Sequence, residues 1–202
     1  MSGSHAAVVL AAGGSTRLGR RKQLLTRDGE TLVHRAARLA LASGATRVLV
    51  IAGAHADDVV AAVSDLPVAC LVNAQWRTGL AGSVRVAAEE LATHADATLL
   101  LTCDQPALDV AYLLALLAAS RRAPSGSAAT RLGDRVGIPA VVAPTMLRAA
   151  LAVQGDRGLR DVLNAADAGV IGCDAPDLGV DIDTPDDIGA AIAKGWLDPV
   201  TP

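Results

Sequence analysis

The chain has no phenylalanine, one tyrosine and two tryptophans among 202 residues. Its core must therefore be aliphatic, and the stacked aromatic platforms of single-strand nucleic-acid binders are hard to build from so few rings. Basic residues are not in excess either. Eighteen Lys and Arg stand against 21 Asp and Glu, a formal net charge of −3, which argues against a general nucleic-acid surface. Any attraction for anions has to be local. Cys70, Cys103 and Cys173 are too few and too scattered for a disulfide framework or a zinc site, and are expected to be reduced thiols in a cytoplasmic protein. No apolar run approaches the roughly 18 residues of a membrane span, and no charged start with an apolar stretch marks a secretory signal.

What is present is small and aliphatic. Hydrophobic residues make up 51% of the chain and charged residues 19%, the balance of a globular protein and not of a disordered one. Short apolar runs at 7–12, 47–52, 68–72 and 97–102 alternate with helical patterns at 30–43, 56–64, 81–93 and 109–122. This alternation predicts βαβ units, hence an α/β fold with a mostly parallel sheet covered on both faces. One domain over residues 6–198 is expected, after a flexible lead-in at residues 1–5.

The second half is less regular. Residues 124–127 read as a turn-rich break, and RLGDRVG at 131–137 places a Gly-Asp turn between strand-like pieces. Residues 138–143 read as a strand antiparallel to the rest. Helices are expected from Thr145 and from near Asp156, and short strands at 169–173 and 179–182. The last helix opens at Thr184-Pro185-Asp186-Asp187: a hydroxyl cap, proline at the first helical position and acids in the first turn.

The most informative segment is VVLAAGGSTRLGRRKQLL at residues 8–25. An apolar strand empties into a loop with Gly13, Gly14, Ser15, Thr16, Arg17 and Gly19, ending at Lys22. Glycines allow close approach, hydroxyls donate hydrogen bonds and the cations neutralise charge, so the loop reads as a polyphosphate cradle. It is not the dinucleotide fingerprint G-x-G-x-x-G, and the second strand, ending at Gly53, lacks the ribose-binding acid. Nor is it a P-loop. Gly14 and Gly19 have the spacing, but Arg20 and Arg21 replace the Lys and the magnesium-binding hydroxyl.

Ligands of open parallel sheets bind outside the carboxyl ends of the strands. Besides the cradle, NAQWRTG at 73–79 with Ser83, and Cys103-Asp104-Gln105-Pro106, fall there. Asp181 and Asp183 precede the last helix. An acid facing a cationic glycine loop makes sense if a divalent metal joins it to phosphate oxygens, and Mg²⁺ typically takes one or two protein carboxylates. Asp104 and Asp183 meet that need, with Asp181 secondary, two residues back on the same expected strand face.

Five segments in order resemble the nucleotidyltransferases of the molybdenum-cofactor cytidylyltransferase type: LAAGGSTRLGRRKQLL, NAQWRTGLAGSV, CDQP, GDRGLRDVL and DIDTPDD. They span almost the whole chain. The resemblance implies a three-layer α/β/α Rossmann-like domain of the nucleotide-diphospho-sugar transferase kind, with one antiparallel strand. It implies attack by a substrate phosphate on the α-phosphate of a nucleoside triphosphate, with CTP favoured, Mg²⁺ as cofactor and molybdopterin as acceptor. A molybdoenzyme would be the downstream partner. Carried over by position, Leu10, Ala11, Ala12, Gly13, Gly14, Ser15, Asn73, Gly79, Ser83 and Asp104 would bind the nucleotide. Arg17 and Lys22 would stabilise charge on the α-phosphate and pyrophosphate, and Asp104 and Asp183 would hold the metal. Leu18, where methionine is frequent, and Arg21, where proline often stands, depart from the family wording without removing a role. A related enzyme using GTP or another phosphorylated acceptor, and a non-catalytic carrier of pterin cofactor, are the alternatives.

Plainer readings compete at several positions. Asp186 and Asp187 are explained as acids complementing the helix dipole. Asp156 reads equally as a helix cap or as a contact for the second substrate. Arg20 and Arg21 read equally as surface cations. Cys103 has no histidine near it in sequence and reads as a buried structural thiol, and His5, His34, His55 and His94 lack ligand spacing. Trp76 either packs on the nucleotide side or seals its own loop.

Overall fold

Residues 5–10 form a strand, β1 (His5–Leu10), whose side chains are all buried. It lies inside a parallel stretch of sheet with helices on both faces, so its sequence is a continuous apolar run without polar alternation. The computed structural model describes residues 4–92, 97–152, 158–179 and 181–199. After β1 come β2 (Thr26–Arg27), β3 (Glu30–Thr31), α1 (Leu32–Ala42), β4 (Arg47–Ala52), α2 (Ala56–Ala62), β5 (Ala69–Val72), α3 (Leu80–Glu90) and β6 (Ala97–Thr102). Then follow α4 (Val110–Ser120), β7 (Ala128–Leu132), β8 (Arg135–Val142), α5 (Pro144–Ala152), α6 (Gly158–Leu163), β9 (Ile171–Asp174) and α7 (Pro185–Ala193). β1 begins one residue inside the expected lead-in: His5 is buried and meets the Ser43 hydroxyl through Nε2 at 3.0 Å.

The seven-stranded sheet runs β5-β4-β1-β6-β8-β7-β9. β8 is antiparallel to both β6 and β7, and the remaining pairs are parallel. The expected antiparallel strand is therefore present, entered through the two-residue turn Gly133-Asp134, where Gly133 takes φ 65°. Successive residues of β1 feed opposite layers. Ala7 and Val9 pack with α1, α2 and α4, while Ala6, Val8 and Leu10 pack with α3, α5 and α6. This is a three-layer α/β/α architecture. Among the described residues no helix is long and apolar enough to cross a membrane.

Two expectations change. The first helix starts at Leu32 and not at residue 30, because Glu30 and Thr31 pair with Arg27 and Thr26 in a small hairpin. Its turn, Asp28-Gly29, has φ of 56° and 76°, the paired left-handed geometry that Asp-Gly favours. Among the described residues no strand forms where one is expected at 179–182. Residues 176–179 form a 3-10 turn, and 181–183 belong to no strand. This segment must cross from β9 at the sheet edge back to the end of β6, so it cannot run along an edge. Its Ile182 N–H donates to the Asp104 carbonyl at the sheet's end, at 3.1 Å. Asp181 and Asp183 therefore do not share a strand face.

A third apolar cluster joins Leu18, Leu25 and Leu32 to Ile182, Ile188, Ala191 and Leu197. It fastens the glycine loop to α7 and the segment preceding it. α7 opens as its sequence foretells, with Thr184 and Asp187 forming a reciprocal capping box after which Pro185 begins the helix.

Near the start of α1, Glu30 accepts two hydrogen bonds from Arg38, each 2.7 Å, and meets His34 Nδ1 at 2.6 Å. The Arg38 bonds lead in holding the Glu30 carboxyl down at about 2, below its ordinary 4.5. Burial opposes the charged form of His34, but its bonds to Glu30 and Asp65 outweigh this and raise its pKa above 6.5. A depressed acid stabilises above its unfolded pKa and loses that contribution as pH falls; a raised histidine stabilises below its unfolded pKa and loses it as pH rises. The melting-temperature gap between wild type and Glu30→Gln should therefore be widest between pH 4.5 and 6.5 and shrink on acidification toward pH 2. A gap that stays constant from pH 6 down to about pH 2.5 would contradict this linkage.

Candidate active site

Leu10 at the end of β1 lies opposite Thr102 at the end of β6, so the loops that follow emerge side by side. The first loop is braced from within by Gln23, which is 1% exposed. Its Nε2 donates to the Gly13 carbonyl at 2.6 Å and the Ala11 carbonyl at 3.0 Å, and its Oε1 accepts from the Ser15 hydroxyl at 3.3 Å. Ser15, in the left-handed region at φ 50°, also accepts the Lys22 N–H at 3.2 Å. Trp76 wedges against the loop from outside. A Cβ on Gly14 would fall 2.7 Å from its ring, and one on Gly53 would fall 2.6 Å from its Cβ. Gly14 and Gly53 thus admit the Trp76 side chain. Arg77 lies over the Trp76 ring, 4.3 Å from its centroid.

The charged groups converge on Lys22. Its Nζ donates to Asp104 Oδ2 at 2.5 Å and to Asp183 Oδ1 at 3.2 Å, while Arg17 Nη2 reaches the other Asp183 oxygen at 2.7 Å. Burial alone would lower the Lys22 pKa, but Asp104 and then Asp183 outweigh it and drive it above the ordinary lysine value. Burial likewise opposes the charged form of Asp183, yet Lys22 and Arg17 hold its carboxyl below the usual range. Asp181 behaves oppositely. Burial first, then the nearby charge of Asp104, pushes it up to about 6.

Gln105, 6% exposed, sets the spacing of the acids. Its Nε2 faces the carbonyls of Ile138 at 3.3 Å and Leu178 at 3.2 Å and Asp181 Oδ1 at 3.2 Å. One amide thereby ties β6, β8 and the crossing segment together. Sequence reasoning gave Gln23 and Gln105 no role, because each acts through main-chain carbonyls distant in sequence.

Two cavities meet here. The smaller, about 310 Å³, is lined by residues 10–14 together with Trp76, Gly79 and Ser83. The larger, about 720 Å³, opens between α3, the β7–β8 hairpin, α6 and Asp181. Lys22, Leu80, Thr102 and Asp104 belong to both, so the lysine and its acid stand at the junction. Of the residues expected to bind nucleotide, Leu10, Ala11, Ala12, Gly13, Gly14, Gly79, Ser83 and Asp104 line the smaller cavity. Ser15 and Asn73 turn their polar atoms inward. Ser15 bonds within the loop, and Asn73 Nδ2 donates to Ser83 Oγ at 3.1 Å. Trp76 packs against Gly14 and Gly53 and lines the smaller cavity.

The donor set suits a divalent cation. Oxygens of two carboxylates converge on one cationic centre, and Asp104 Oδ1 is buried without a hydrogen-bond partner. Among the described residues no group of three or more His, Cys, Asp or Glu could hold a metal by itself. Two acids plus water and phosphate is the pattern of Mg²⁺-type sites. Cys103 is buried beside Asp104, and burial followed by that charge pushes its thiol up to about 12, which makes it an inert core group. Arg21 is engaged by Asp58 at 2.6 Å. Asp156 and His94 lie outside the described residues.

Residues 7–178 match the family described as MobA-like NTP transferase domain. A relative named nicotine blue oxidoreductase, from Paenarthrobacter nicotinovorans, is 36% identical over 187 residues, covering 88% of this chain and 91% of its own. The crystal structure of Rv0371c from Mycobacterium tuberculosis H37Rv superposes with a TM-score of 0.81 at 26% identity, covering 96% of this chain and all of its own. The same protein complexed with manganese gives a TM-score of 0.77 at 24% identity, covering 94% and 98%.

Replacing Gln23 with leucine, similar in volume but without polar atoms, leaves the Gly13 and Ala11 carbonyls and the Ser15 hydroxyl without this partner. A buried group left unpaired costs about 1–3 kcal/mol, so Gln23→Leu should lower unfolding free energy by about 2 kcal/mol or more in urea titration. Unchanged stability would show that Gln23 does not brace the loop.

Proposed function

The chain belongs to the MobA-like NTP transferase domain family and is a nucleotidyltransferase, and from that premise we propose that it transfers a cytidylyl group from CTP to the phosphate of molybdopterin. The observation that carries the reading is the placement of Lys22 and Asp104 at the wall shared by two cavities, with Asp183 and Arg17 closing over them. Donor and acceptor can then occupy separate chambers and meet at a cationic, acid-flanked centre. The smaller chamber takes the triphosphate on the loop of residues 12–15, with Ser83, steadied by Asn73, on the base or ribose side. The LAAG and CDQP wording supports cytidine over guanosine. The larger chamber receives the acceptor against an apolar wall of Val84, Val136, Ile138, Leu159 and Leu163, with Arg135 and Arg160 among its polar lining.

In the reaction an acceptor phosphate oxygen attacks the α-phosphorus of CTP. A new P–O bond forms as the bond to the β-phosphate oxygen breaks, and pyrophosphate leaves with that electron pair. Lys22 and Arg17 stabilise the charge that grows on the α-phosphate and pyrophosphate. No covalent enzyme intermediate is needed, because the catalytic gain comes from positioning and preorganised charge. Asp104 and Asp183 would hold Mg²⁺, which supplies charge neutralisation on the phosphate oxygens. A cytoplasmic molybdoenzyme is the proposed recipient of the product.

The relative named as an oxidoreductase favours a second reading, in which the same cleft holds a hydride donor and a heteroaromatic acceptor. The loop after β1, without G-x-G-x-x-G, and the end of β4, without a ribose acid, weigh against a dinucleotide there.

Pyrophosphate release is the deciding measurement, run with molybdopterin against each of the four triphosphates and Mg²⁺. Release with CTP is expected. Oxidation of a reduced nicotinamide without triphosphate, and no pyrophosphate with any of the four, would replace the proposal with the second reading. Lys22→Ala and Asp104→Ala should each lower turnover by ~10²-fold or more, the scale of losing one preorganised charge at the reacting centre. Near-normal turnover in both would remove these residues from the chemistry.

A further inference from the structure

Lys22 has a second role besides meeting a phosphate, as the partner of two carboxylates. Its ammonium sits at the point on which Asp104 Oδ2 and Asp183 Oδ1 converge, at 2.5 and 3.2 Å, and its side chain is 16% exposed. Arg17 completes the set on the far oxygen of Asp183. Two carboxylates are thus balanced by two cationic side chains, and a carboxylate as enclosed as Asp104 would be costly without a partner. A divalent ion brings the same two positive charges. Its arrival would release Lys22 and Arg17 together, but a largely enclosed ammonium released without an anion has nowhere favourable to go. A triphosphate provides that anion.

We infer that Lys22 is the resident counter-ion of the divalent-metal position, exchanged onto the triphosphate when nucleotide and metal enter together. This rests on the nucleotidyltransferase reading above. Two consequences follow. Metal binding to the nucleotide-free protein is weak, because Lys22 competes for the same two oxygens. Nucleotide and metal bind with positive coupling, because each relieves the penalty the other faces. Arg17, more exposed and in contact with Asp183 alone, contributes less to the competition than Lys22.

The test is Mn²⁺ binding by the full chain, followed by electron paramagnetic resonance with and without CTP, in wild type, Lys22→Met, Lys22→Gln, Arg17→Ala and Asp104→Asn. Without nucleotide, both Lys22 variants should bind Mn²⁺ about tenfold tighter than wild type or more, Arg17→Ala should gain less, and Asp104→Asn should lose binding. CTP should tighten Mn²⁺ in wild type by a larger factor than in Lys22→Met. A thermal melt gives an independent reading: in EDTA Lys22→Met should melt below wild type, and Mn²⁺ should raise its midpoint more than it raises the wild type's. Should Lys22→Met not fold, Lys22→Gln, which retains polar donors for Asp104, carries the comparison. Lys22 variants that bind Mn²⁺ no tighter than wild type, while Asp104→Asn abolishes binding, would overturn the exchange and leave the metal assignment standing. No Mn²⁺ bound by wild type even with CTP would overturn both.

Discussion

The ion pair of Lys22 with Asp104 and Asp183 is the constraint around which this cleft is organised. An enclosed carboxylate needs a partner, and the partner must come from a loop that is itself held rigid. Each supporting feature meets one side of that requirement. Gln23 fixes the loop that delivers Lys22, Gln105 fixes the segments that carry Asp104 and Asp181, and Leu18 packing with Ile182 brings the Asp183 segment within reach. Positions from residue 17 to residue 183 are thereby held around a single charge centre.

The division of labour between polar and apolar groups explains why so aliphatic a chain can build a charged site. The two cores on either face of the sheet consist of Ala, Val, Leu and Ile with little else, and they fix the strand ends. Only the loops leaving those ends carry chemistry, which is the general behaviour of open α/β sheets. Trp76, one of three aromatic residues in the chain, lies at the site and not in a core; it lines the smaller cavity and packs against Gly14 and Gly53.

Much of the fold was legible because local and global preferences agree. The strands at 47–52 and 97–102 have the bounds the apolar runs indicate, and the cap at Thr184 forms as its Thr-Pro-Asp-Asp pattern requires. The Asp28-Gly29 hairpin was also written in the sequence, but two-residue strands are too short to show alternation, so only the turn signals them. The misplaced strand at 179–182 has a different origin. Its Ile182 serves a cluster with Leu18 and Leu25 and not a ladder, and a short apolar run does not say which kind of neighbour will bury it.

Sequence by itself determined the fold class, the glycine-rich loop after the first strand and the residue types on which the site draws, because strand and helix periodicities and glycine-rich loops are local properties of the chain. It did not determine that Lys22 lies between Asp104 and Asp183, that Ser15 and Asn73 turn inward, or that two glutamines hold the geometry. Those are decided by tertiary structure. They depend on contacts between positions up to 166 residues apart, as in the Arg17–Asp183 pair, and which side chain neutralises which is fixed only when the packed cores bring the strand ends to one side of the sheet.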